Sequence, residues 1–146
     1  MTAEKYYPQA VLMWLESNQP VLVSRRSVLL WRAVHQQLAP IMGDNGFMAL
    51  FCRCVDLCGV RFTWVRSTPA RSSAMHAFDA LGAQLAARSA DEGLAASRSL
   101  FGMFYELLVQ LVGESLAAGV VDAAWRDRLQ HQRIFCALAP PPIKPA

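Results

Sequence analysis

A chain of 146 residues, 54% of them apolar and 17% charged, is long enough for one domain that buries its core without disulfides or metal. Fourteen basic against eleven acidic residues give a net charge of only +3, and arginines scattered among alanines fit the base composition of the source better than a clustered nucleic-acid footprint, so nucleic acid is not the expected partner. The mean hydropathy of +0.24 raises the question of a membrane, but Glu106, Gln110, Glu114 and Ser115 interrupt the most lipid-like window and no basic-then-apolar leader opens the chain, so the expectation is a cytoplasmic protein without a membrane span.

In chain order, the first predicted element is a short helix over Pro8–Glu16, with Val11, Met13, Trp14 and Leu15 too apolar to be left in water. Ser17 to Pro20 breaks it, Val21 to Val23 reads as a brief extended connection, and Ser24 is the expected N-cap of the next helix. That helix runs to Met42 with Leu30, Val34, Leu38 and Ile41 on one face, and Pro40 is expected to bend it just before Gly43. Its partner begins near Asp44 and carries a clean amphipathic stripe of Phe47, Leu50, Phe51, Cys54, Val55 and Cys58, ended by Gly59.

Val60 to Arg71 then forms the longest connection. It alternates Val60, Phe62 and Trp64 with Arg61, Thr63 and Val65 before dissolving into polar residues. A third helix is expected from Ser72 to about Ala90, with Met75, Phe78, Leu81, Gly82 and Leu85 inward and His76 and Asp79 outward, punctuated by Asp91-Glu92-Gly93. The helix from Ser97 or Arg98 to Val112 is apolar almost all round and should be central or sandwiched at a subunit interface. The last helix, from Glu114 to about Gln130, turns Ala117, Val120, Val121, Ala124 and Trp125 inward and pairs Asp122 with Arg126 on the outside. Residues 1–138 thus read as a single helical domain and 139–146 as a proline-rich flexible tail.

Two stretches of this chain match. Leu30 to Val55 aligns with Leu100 to Trp125, setting Trp31 on Phe101, Leu38 on Leu108, Gly43 on Gly113 and Asp44 on Glu114. Each glycine is expected to take the left-handed conformation at a helix end, with the acid at the positive N-terminus of the following helix. The expected fold is all-α, a bundle of five to six helices built around two pseudo-equivalent helix–Gly–acid–helix hairpins.

Signals for catalysis are sparse. No phosphate-binding loop, dinucleotide fingerprint, zinc-protease helix or nucleophile elbow is present. Cys52, Cys54 and Cys58 share one helix without paired CxxC spacing and read as buried thiols, so no metal and no cofactor is expected. His35, beside a core stripe, reads as a satisfied side chain, and His131 as a solvated one. The segment Met75-His76-Ala77-Phe78-Asp79-Ala80-Leu81-Gly82-Ala83 is similar to the phosphoacceptor segment of histidine phosphotransfer domains. The resemblance implies His76 as phosphoacceptor, with small Ala80 leaving the ring reachable. It departs from that pattern in placing Asp79 where a lysine belongs, and a carboxylate there repels a phosphoryl group.

The favoured reading is a non-catalytic, bacterial-type regulatory or scaffold protein acting by protein–protein contact. Arg61, Arg66 and Arg71 beside Trp64 are the partner-binding candidates, because guanidinium forks bind anions while the indole supplies area. A signalling component is a suitable partner. The small residues Ala117, Ala118 and Gly119 and the excess of apolar surface point to a homodimer. The alternatives are phosphotransfer through His76 and a small-molecule sensor with a cavity between the helices, lined by Trp31, Phe51, Phe101 and Phe104.

Overall fold

The computed structural model describes residues 9–69 and 72–126. Five helices and no strand lie among the described residues: α1 (Gln9–Leu15), α2 (Pro20–Arg61), α3 (Ala74–Ala86), α4 (Ala90–Val112) and α5 (Glu114–Ala124). The all-α class expected from the apolar spacing is what the chain adopts. The expected tail 139–146, the far end of the last helix, His131 and Arg71 lie outside the described residues.

The helix starts depart from the sequence expectation for identifiable reasons. Pro20 does not belong to a break; it is the first residue of α2, where its missing N–H is no loss. Leu22 and Val23 are therefore already helical and buried, and Ser24 is not a cap. Its hydroxyl sits inside the bundle and donates to the Gly82 carbonyl at 2.6 Å. Similarly, Asp91-Glu92-Gly93 does not separate two helices. Ser89 caps α4 by accepting from the Glu92 N–H at 3.2 Å, and the two acids occupy the first turn, where the helix dipole favours them.

Gly43 interrupts α2 with φ 77 and ψ 162. It is the one departure from helical dihedrals inside this element, so Pro40 produces no break of its own. Trp31 and Phe51 would stand about 30 Å apart along a straight helix, yet their ring centroids are 5.0 Å apart. His35 and Phe47 meet at 4.9 Å. The arm 44–61 therefore folds back along the arm 20–42. Gly113, between α4 and α5, has φ 92 and ψ 158, nearly the same backbone conformation. Both glycines have the expected positive φ, but ψ is extended, a combination open to little besides glycine.

Residues related by the repeat touch each other along the middle of the bundle. The Ser27 and Ser97 hydroxyls are 2.7 Å apart and buried. One turn earlier, Val23 lies 3.5 Å from where a Cβ on Gly93 would stand. One turn later, Trp31 and Phe101 lie at 6.0 Å. In-register contact at three successive turns requires the arm 20–42 and α4 to run parallel, with a two-fold relation between them.

The interior is largely aromatic. Trp31 packs edge-on against Phe51, Phe101 and Phe104 at 5.0, 6.0 and 5.0 Å, and Phe47 joins Phe51, Phe78 and Phe104. α1 is tied down by Arg26, whose guanidinium donates to the Trp14 and Glu16 carbonyls at 3.0 and 2.6 Å. These belong to the last turn of α1 and the residue beyond it, where carbonyls lack helical partners. Glu16 also pairs with Arg98 of α4. Asp122 and Arg126 form the expected i,i+4 pair at 3.2 Å.

Candidate functional site

The connection leaving α2 is held closely to the bundle. Gly59 makes this possible: a Cβ there would lie 2.7 Å from the Val65 carbonyl oxygen, so only glycine lets the returning backbone come so near. Val65 is buried, and its N–H donates to the Phe62 carbonyl at 2.8 Å, closing a turn. Gln84 of α3 then grips Arg66 by the main chain, accepting from its N–H at 2.9 Å and donating to its carbonyl at 3.0 Å. Ser67 donates to Asp56 at 2.8 Å. The loop is thus tied to the helices at Val65, Arg66 and Ser67.

This anchoring presents Phe62 and Trp64 edge to face, with centroids 6.1 Å apart and both rings half-buried against the core. Arg61 lies over Phe62 at 5.3 Å, and Arg88 lies over Trp64 at 5.2 Å. Arg61, Arg66 and Arg88 are exposed and form no ion pair among the described residues. Of the expected partner-binding residues the structure brings Arg61, Trp64 and Arg66 to one end of the bundle, and Arg71 lies outside the described residues. Arg88 is the member that sequence reasoning missed. It lies just past the end of α3, and nothing in its local pattern announces the ring it covers.

His76 is exposed in the first turn of α3, and its backbone N–H donates to the capping Ser73 hydroxyl at 3.2 Å. Asp79 is bound to Arg32 at 3.1 Å. The Arg32 guanidinium is thereby committed to a carboxylate, and there is no lysine among the described residues. Incubation with a phosphorylated receiver domain is accordingly expected to leave no acid-labile phosphate on His76. Detection of that phosphohistidine, lost in His76→Gln, would overturn this expectation.

His35 packs against Phe47 and Phe78 and uses its Nε2 on Asp44 at 2.7 Å, which ties the arm 20–42 to the residue just past Gly43. Tyr105 occupies the matching place before Gly113, and burial, then the Glu114 carboxylate, raise its phenol above the ordinary value.

Cys54 and Cys58 are fully buried. Burial pushes their thiols up to about 12 and about 11 from an ordinary 9.0, and burial followed by Asp56 also raises Cys52. None of the three is primed as a nucleophile. The folded chain holds these protons more tightly than the unfolded chain, so the associated stability is complete below about pH 9 and is lost as pH rises through the folded values. The denaturation midpoint is expected to fall between about pH 9 and 11, less steeply in Cys54→Ala/Cys58→Ala. A midpoint constant over that range would contradict the assignment.

No group of three or more metal-ligating side chains occurs among the described residues, and no helix there is long and apolar enough to cross a membrane. The aromatic residues expected to line a cavity instead fill the core against one another. The crevice beside Phe51, Cys52, Arg66 and Thr68 measures about 210 Å³ with its open mouth, and another beside Cys58, Leu85 and Leu100 about 170 Å³. No family model matches the chain, and no curated protein or solved structure shows significant similarity to it.

Proposed function

We propose that this chain is a non-catalytic regulatory or scaffold protein that binds another protein through the loop after α2. The observation that carries the reading is the fixation of that loop: Gly59, Gln84 and Asp56 hold it against the helices while Arg61 and Arg66 remain exposed and unpaired among the described residues. An exposed loop ordered before binding loses little conformational entropy on meeting a partner. Arg61→Ala/Arg66→Ala is expected to lose the partner that the wild-type chain retains from extracts of its native host. Retention by the variant would remove the loop's role.

Pairing of two chains is the second part of the proposal. Ile41, Leu111 and Leu116 are 50%, 63% and 44% exposed around the two glycine turns, a place where a second copy would remove apolar side chains from water. Sedimentation velocity at micromolar concentration is expected to show a dimer; a 16.2 kDa species alone would exclude it.

A further inference from the structure

We propose that Arg61, Phe62, Trp64 and Arg88 form a reader of acidic peptide segments in which carboxylates flank an apolar residue. This inference rests on the proposed protein-binding role of the same end of the bundle and names the chemistry selected there. The four planar groups follow one another at 5.3, 6.1 and 5.2 Å, a ladder with a guanidinium at each end and two aromatic rings between. Each guanidinium carbon lies over a ring, and neither cation is engaged in an ion pair among the described residues, so their N–H groups stay available for paired hydrogen bonds to a carboxylate.

The order of the four groups, cation, ring, ring, cation, sets the ligand. Two carboxylates engage the outer rungs, and an apolar side chain between them covers the exposed parts of Phe62 and Trp64, whose other surfaces already pack on the core. The rungs come from separate elements, Arg61 from the end of α2 and Arg88 from beyond α3, and Gln84 joins the loop to α3 through both of its hydrogen bonds to Arg66. The ladder is therefore assembled before any ligand arrives.

A nucleic acid strand fits this surface less well. Asp91 and Glu92 are exposed within four residues of Arg88, and Asp56 stands one helical turn or so before Arg61. A backbone with a charge at every nucleotide would run past these carboxylates, whereas a peptide can place its two charges on the arginines and none beyond.

The test is fluorescence anisotropy with the full chain and a labelled short peptide of alternating glutamate and leucine. Its glutamine–leucine counterpart and an oligothymidylate of equal length are the comparisons. The glutamate peptide is expected to bind roughly tenfold more tightly than the glutamine form, and Arg88→Ala to weaken it by roughly tenfold, a change on the scale of a charged hydrogen bond. Arg53→Ala, at another exposed arginine, is expected to leave binding unchanged. Equal affinity for the two peptides, an Arg88→Ala variant that binds as wild type, or tighter binding of the oligothymidylate would each overturn the proposal. If Arg61→Ala/Arg66→Ala lost the native partner while the peptides showed no preference, the interface would stand and the acidic selectivity would fall.

Discussion

Trp31→Ala is expected to destabilise the fold by about 3–5 kcal/mol, the range for removing a large aromatic side chain from a packed core. Trp31 is 1% exposed and touches rings from both sides of the central contact: Phe51 in its own hairpin, and Phe101 and Phe104 of α4. The truncation would leave a void faced by three stiff rings, which cannot collapse into it as flexible side chains would. Urea denaturation followed by circular dichroism measures the effect. A loss below about 1 kcal/mol would show that the two halves do not depend on this contact.

Gly43→Ala and Gly113→Ala are each expected to cost roughly 1–3 kcal/mol, the scale of a residue forced into a sparsely populated backbone region. Nothing lies within 4 Å of a Cβ built on either glycine. The cost is therefore backbone strain without a steric clash, and a larger residue such as valine should add to it through its β-branch. Combining the two alanines should give nearly the sum, because each turn strains its own connection. Neutral substitutions, measured by the same denaturation, would mean that these connections adopt another conformation.

Much of the architecture was legible because helical periodicity records burial. Phe47, Leu50, Phe51, Cys54, Val55 and Cys58 fall on one face at helical spacing, and all six are buried. Phe78, Leu81, Gly82 and Leu85 have the same helical spacing and are buried, but Met75 is 40% exposed, because the buried face of α3 begins with Ala74 and Ala77 and leaves Met75 off it. The helix starts were harder. Pro20 and the Ser89–Glu92 cap are each adjacent to residues that ordinarily mark breaks, and Gly93 lies inside α4 against Val23 and Leu85. The candidate site was legible in part. Arg61, Trp64 and Arg66 share one segment, while the covering of Trp64 by Arg88 depends on how α3 returns past the loop, which no local pattern encodes.

The two-fold contact between the arm 20–42 and α4 joins positions carried by one chain, so each side of the axis can change alone. In a pair of identical chains every substitution appears twice. Here the serine pair on the axis is alike on both sides, but Phe47 corresponds to Ala117, Phe51 to Val121 and Phe104 to Val34. Phe47 meets Phe104 at 5.5 Å, large against large, and the corresponding residues of the other side are small with small. Arg32, which binds Asp79, has Gly102 as its counterpart, so that ion pair has no mirror image. The result is a pair with a heavy side and a light side, in which bulk and charge have been distributed unequally without disturbing the contact that both sides share.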